Sequence, residues 1–299
     1  MKQIIAGTIL LACAMLVQPV KADEALTGTL KKIKDSGSIS LGIRESSVPF
    51  SYYDDNNKVV GYSQDLALIV VDQIKRRLGI PNLQVKLVPV TSQNRIPLVQ
   101  NGTVDLESGS TTNNLERQQQ VSFSTDFFVI GTRLLVRKDS GIKDFADLRG
   151  KNVVTTAGTT SERLLREMNQ QNAMGMNVIS AKDHGESFLI LQSGRAVAFM
   201  MDDALLAGER AKAKRPDDWI IVGTPQSKEA YAMMFRKGDS AFKAIVDQAV
   251  ANAETSGTAA KLYQRWFLSP IPPRGLNLEL PMNDDTKALF KNPNDRAFQ

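Results

Sequence analysis

Arg117 sits at the end of a run, "GSTTNNLERQ" (109–118), in which Ser110, Thr111 and Thr112 precede two asparagines and Glu116. Hydroxyls beside the unpaired N–H groups of a helix start favour negative charge, and the planar guanidinium of Arg117 adds a fork that grips a carboxylate through two parallel bonds. The same spacing has a plainer reading, since Asn113 followed by Glu116 is also a capping box. A second run, "AGTTSE" (157–162), repeats the logic, with Thr159 and Glu162 at capping-box distance and Thr160 between them. Asp202 follows the apolar "AVAFMM" in "DD" (202–203). A carboxylate there suits an ammonium group, which has donors only, unless Asp202 or Asp203 simply caps the next helix. Two carboxylate-reading runs and one ammonium acceptor together fit an α-amino acid zwitterion.

A further set of residues could read the side chain of such a ligand. Arg44 stands in "LGIRESSVPFSYY", Arg95 with Ser92 in "TSQNRIP", and His184 in "AKDHGES", each near the end of an expected strand, while Ser110 contributes another hydroxyl. Taken singly these are surface arginines and a loop histidine. If Arg44 and Arg95 converge, a second negative charge on the ligand is the simplest reason to bury both, because unpaired buried cations are costly. Phe50, Tyr52 and Tyr53 could wall that pocket or belong to the core.

Catalysis finds little support. The chain has one histidine and one cysteine, no nucleophile elbow of the form GxSxG, no Rossmann or phosphate-loop glycine pattern, and no grouping with metal-ligand spacing. Binding without a cofactor or metal is expected, and no enzyme activity.

Elements that could position these residues alternate along the chain. "SISLGI" (38–43) has the pattern of a strand and "SQDLALIVVDQIKRRLG" (63–79) that of a helix, with Leu66, Ile69, Val70 and Ile74 on one face and Gly79 as its stop. Strands at 83–90 and 104–109 flank a short helix at 94–102. From 151 the rhythm resumes: strands 151–156, 177–180 and 196–201, with helices 161–170, 186–194 and 203–213. Such alternation implies βαβ units and ligand sites beyond the C-terminal strand ends. Two long extended runs interrupt it, "VSFSTDFFVIGTRLLVRK" (121–138) and "EAYAMMFRK" (229–237). Both are read as crossings between two α/β lobes, giving a hinged clamshell. Helices near 240–255 and 257–267 would complete the first lobe, followed by "SPIPPRGLN" and a polar tail.

At 299 residues, 42% hydrophobic and 23% charged, the chain is long enough for two domains. Residues 1–22 stand apart. Lys2, the apolar "IIAGTILLACAMLV" and the small residues around "VKA" read as a secretory signal cleaved after Ala22. "LLAC" ending at Cys13 is the competing reading, a lipoprotein signal, but "AMLV" prolongs the apolar stretch beyond the cysteine. Cleavage removes Lys2, Lys21 and Cys13, leaving 35 basic residues against 32 acidic, a balance of +3 instead of +5. That balance, without a long basic run, argues against nucleic acid. A periplasmic protein with no disulfide is expected.

The runs "RESSVPFSYYDDNNKVVGYSQD", "TSQNRIPLVQNGTVDLESGSTTNNLERQ", "GTTSE" and "ISAKDHGESF", with "SGRAVAFMMDDALLAGERAKAKRPD", resemble the periplasmic solute-binding receptors of bacterial ABC amino-acid importers (family 3 extracellular solute-binding proteins), in the branch that takes glutamate and aspartate. The likeness extends over about residues 30–295. It implies a type II periplasmic-binding-protein fold: two lobes, each a mixed, mostly parallel sheet flanked by helices, joined by two extended hinge strands. The lobes would comprise 23–131 with 231–299, and 132–230. It further implies that Arg117, Thr112 and Thr160 hold the α-carboxylate, that Asp202 holds the α-amino group, and that Arg44, Ser92, Arg95, Ser110 and His184 surround a side-chain carboxylate of L-glutamate or L-aspartate. The partner would be a membrane permease, and the receptor a monomer. Relatives carry cysteines where Ser108 and Met233 stand, so the disulfide the resemblance implies is missing here.

Overall fold

The computed structural model describes residues 26–298; the signal segment 1–22 and Cys13 lie outside the described residues. Two mixed sheets form the frame. In the first, strands run in the order Gln84–Pro89, Ser38–Ile43, Leu106–Glu107, Glu229–Arg236 and Thr112–Asn113, with Val121–Ile130 also paired to Glu229–Arg236. The second runs Asn177–Ala181, Asn152–Thr156, Ala198–Asp202, Thr132–Arg137, Trp219–Val222. Pairing is parallel where helices connect the strands and antiparallel wherever a crossing strand takes part. The chain passes from the first sheet to the second between Ile130 and Thr132 and returns between Val222 and Glu229. Those two passages are the hinge of a two-lobed clamshell. The first run, read as one long crossing, is two strands separated by Gly131, whose Cα lies so close to the return passage that an added Cβ would stand 3.0 Å from Pro225 Cβ.

The helices follow their apolar periodicity closely. Tyr62–Leu78 buries Leu66, Val70 and Ile74 and ends at Gly79, whose φ of 66° lies in the left-handed region. Thr160–Gln171, Asp203–Lys212, Ser240–Thr255 and Thr258–Phe267 fall within a residue or two of their sequence positions. Phe50 meets Tyr62, Phe128, Tyr231 and Phe267 edge-on. Phe50 and Tyr52 are thus core, and Tyr53 packs partly buried against it.

Three elements differ from expectation. The helix in "GSTTNNLERQ" begins later and is only four residues, Leu115–Gln118, because Thr112–Asn113 is drawn into antiparallel pairing with Ala230 and Tyr231. Asn114, not Asn113, is its cap, accepting from the Arg117 backbone N–H at 2.8 Å. Trp219–Val222, unforeseen, adds an edge strand beside Thr132–Arg137. The polar tail contains a helix, Asp284–Lys291, laid against the first crossing strand. Asn283 Nδ2 donates to the Val129 carbonyl at 2.8 Å, and the Val129 N–H donates to Thr286 Oγ1 at 3.1 Å. Lys228 pairs with Asp285 at 2.6 Å, so the tail also touches the return passage.

Candidate functional site

The cleft is built where strand ends of both sheets face each other. Strand Ser38–Ile43 delivers Arg44, whose backbone N–H donates to Ser51 Oγ at 2.9 Å. Its side chain lies across Gly109, where a Cβ would stand 2.6 Å from Arg44 Cγ; only glycine leaves that room. Arg95 opens the helix Arg95–Gln100 and reaches back to donate to the Ser110 carbonyl at 3.1 Å and to Thr111 Oγ1. Thr111 Oγ1 in turn donates to Glu107 Oε2 at 2.6 Å. Both arginines are 2% exposed, and Arg95 is close enough to count in the surroundings of Arg44. Burial, and next the charge of Arg95, lower the Arg44 guanidinium to about 10, which leaves it protonated at neutral pH.

His184 starts the helix His184–Gln192 at the end of strand Asn177–Ala181, behind the cap Asp183. Its Nδ1 shares a 2.9 Å hydrogen bond with Thr156 Oγ1. Burial first, then Arg44 and Arg95, hold the imidazole well below its ordinary value, so it is neutral. The other ring nitrogen, Nε2, has no protein partner. Arg44 Nη1, Ser92 Oγ, Arg95 Nε and His184 Nε2 are all buried without a protein partner. Buried polar atoms are rarely left so, and these four belong to the residues nominated for reading a ligand side chain. Glu107 is the carboxylate common to the surroundings of both arginines, with Asp183 also acting on Arg44 and Asp202 on Arg95.

The other end of the cleft is assembled across the lobes. Arg117 donates through Nη1 to the Thr112 carbonyl at 2.9 Å and through Nη2 to the Gly158 carbonyl, across the cleft, at 3.4 Å. Burial, then Arg95, lower it to about 9. Thr160 begins the helix Thr160–Gln171, and Thr159 caps it by accepting from the Glu162 N–H at 3.0 Å; the Glu162 carboxylate returns to the Gly158 N–H at 2.8 Å. The hydroxyls of Thr112 and Thr160 both donate to one oxygen, Glu229 Oε2, at 2.7 Å each. A hydroxyl has a single proton, so here the two threonines offer lone pairs rather than donors.

Asp202 occupies the cap position of the next helix without capping it; Asp203 takes that part, accepting from the Ala204 N–H at 2.7 Å. The Asp202 carboxylate instead accepts from Ser161 Oγ at 3.0 Å, Thr132 Oγ1 at 3.4 Å and Tyr231 Oη. Burial and then the neighbouring Glu229 raise it well above the usual carboxylate range, as expected where an acceptor lacks a cation. All nine nominated residues, Arg44, Ser92, Arg95, Ser110, Thr112, Arg117, Thr160, His184 and Asp202, are buried along this cleft. Ser92, Arg117 and Thr160 also line an open cavity of about 690 Å³ shared with Gln93 and Gly158. Sequence reasoning missed Glu107, Thr111, Thr156 and Glu229. A carboxylate at the head of the apolar run "EAYAMMF" was the signal for the last of these.

The lobes are in contact around this site. A Cβ on Gly158 would come 2.9 Å from the Gln93 backbone, and one on Gly208 would come 2.1 Å from the Val48 carbonyl oxygen. Among the described residues no cluster of His, Cys, Asp and Glu has the arrangement of a metal site, and no helix is long and apolar enough to cross a membrane.

Comparison with known proteins supplies a frame for these contacts. Residues 39–269 match the family model of bacterial extracellular solute-binding proteins, family 3. The L-glutamate/L-aspartate-binding protein of Pseudomonas aeruginosa is 62% identical over 290 residues, covering 97% of this chain and 96% of that protein. The glutamate/aspartate import solute-binding protein of Escherichia coli K12 is 59% identical over 295 residues, 98% of each chain. Among solved structures, an ArgBP mutant from T. maritima superposes with a TM-score of 0.71 at 29% identity, over 80% of this chain and 99% of its own. The solute receptor for L-cysteine of Neisseria gonorrhoeae gives 0.70 at 26%, over 81% and 94%. With the family model spanning most of its length and full-length relatives near 60% identity, this chain belongs to the bacterial extracellular solute-binding proteins of family 3.

Proposed function

We propose that the protein is a receptor that captures L-glutamate and L-aspartate between its lobes and delivers them to the permease of an ABC importer. The observation that carries this reading is the buried cluster of Arg44, Arg95 and neutral His184, in which Arg44 Nη1, Arg95 Nε and His184 Nε2 have no protein partner. Two buried guanidinium groups, each with a nitrogen left without a protein partner, make a site that a second negative charge on the ligand completes. The relatives near 60% identity carry names that point to the same two amino acids.

Within this reading Arg117 takes the α-carboxylate. Asp202 takes the α-ammonium, aided by the hydroxyl oxygens of Thr112 and Thr160. Ser92, Ser110 and His184 Nε2 complete the shell of the side-chain carboxylate. The lobes divide as 23–131 with 231–299 and 132–230. The first lobe offers Arg44, Arg95 and Arg117, and closure adds Thr160, His184 and Asp202 from the second. Differential affinity for the closed form drives the shift, and no bond in the ligand changes. Cleavage after Ala22 places the mature receptor in the periplasm as a monomer. Calorimetry with L-glutamate, L-aspartate, L-glutamine and L-arginine tests the assignment: the first two bind, and glutamine binding as tightly as glutamate would overturn it.

A further inference from the structure

Glu229 is the first residue of the returning strand, opposite Ile130, where the chain completes its second passage between lobes. Its side chain is buried, and one oxygen, Oε2, accepts from a hydroxyl of each lobe: Thr112 Oγ1 of the first and Thr160 Oγ1 of the second, both at 2.7 Å. Nothing in the capture of a side-chain carboxylate calls for this acid. It places a second carboxyl beside Asp202 at the end of the cleft where Arg117 also lies.

Three physical consequences meet here. Each threonine spends its single proton on Glu229, which turns the remaining lone pairs toward other donors. Two 2.7 Å bonds to one carboxyl oxygen hold both hydroxyls in that sense rather than leaving them to rotate. The Thr160 bond also depends on the lobes being together, because Thr112 and Thr160 ride on different sheets while Glu229 stands at the hinge.

We propose that Glu229 is the positioning residue that makes this end of the closed cleft select a cationic amino group, by fixing the Thr112 and Thr160 hydroxyls as acceptors beside Asp202. The inference rests on the reading of the ligand as an acidic amino acid. Anions that share its two carboxylates and lack the ammonium gain nothing from Glu229.

L-Glutamate and glutarate, which differ in that amino group, provide the test on the full-length mature protein. In Glu229→Gln, which keeps the shape and removes the charge, L-glutamate affinity falls about tenfold or more, while glutarate affinity stays within about threefold or improves. Glu229→Asp, which keeps the charge, recovers most of the ratio. Should Glu229→Gln not fold, Thr160→Val leaves the hinge strand untouched and shows the same fall in the glutamate-to-glutarate ratio. Equal loss for the two ligands would make Glu229 a clasp without selectivity and overturn the proposal, as would a glutamate loss under threefold. A wild-type protein that ignores L-glutamate would instead defeat the receptor reading.

Discussion

Arg44 and Arg95 are both buried, yet they carry different structural duties. The Arg95 guanidinium holds Ser110 and Thr111, whereas Arg44 Nη1 has no protein partner. Arg44→Met therefore removes a buried, underpaired cation without unlocking the turn. L-Glutamate affinity should fall about a hundredfold, the worth of a bond to a charged group or two, and L-glutamine affinity far less; titration of both ligands checks it. The same change should raise the melting temperature of the ligand-free protein, because it relieves repulsion from Arg95. Asp202 makes a separate prediction. Its carboxyl is raised in the free protein, and an ammonium partner favours the ionised form, so binding lowers its pKa and releases protons. Affinity for L-glutamate should rise from pH 5.5 to pH 8. Calorimetry in buffers of different ionisation enthalpy should show proton release, and its absence near neutral pH would remove Asp202 as the ammonium acceptor.

Elements repeat the contrast between local and distant causes. Helix Tyr62–Leu78 and the parallel strands were legible because periodicity and stop residues are written locally. Thr112–Asn113 was not, since its strand conformation is imposed by Ala230 and Tyr231, more than a hundred residues away. The same holds for Glu229, whose importance arises from two threonines brought to it by different sheets. The nine nominated residues were readable as chemistry, but the commitment of the Thr112 and Thr160 protons was not, because hydroxyl direction depends on tertiary neighbours. Asp202 could be either cap or acceptor until Asp203 took the capping bond. Helix Asp203–Lys212 carries its own test at Gly208, whose Cα abuts the Val48 carbonyl of the other lobe. Gly208→Ala should hold the lobes apart and weaken L-glutamate binding about tenfold or more, with the melting temperature of the free protein little changed. Small-angle scattering of the variant with ligand should show a more open particle than the wild type.

The whole molecule stores a charge problem far from the cleft. Glu254, on helix Ser240–Thr255, is 3% exposed and neither of its oxygens has a hydrogen-bond partner. Burial, and next Asp126, raise its carboxyl to about 9. A folded-state value above the unfolded one means stability is full below about pH 4.5 and declines as pH rises toward 9. Between pH 7 and 8.5 the wild type should lose melting temperature, and Glu254→Gln should flatten that loss and exceed the wild type at the upper end. At the two positions where the resemblance implied cysteines, Ser108 Oγ donates to the Ser63 carbonyl at 2.9 Å and Met233 is fully buried in the core. Beyond residue 269, where the family match stops, the C-terminal helix is bonded to Val129 near the end of the first crossing strand and to Lys228 on the return passage, and the Phe298 ring centre lies 5.1 Å from the Lys228 ammonium. For anyone building an optical sensor from this receptor, a dye attached at Phe298 would sit beside the pivot and report almost nothing. Its partner and itself belong at the far tips of the lobes, where the same rotation sweeps the longest arc.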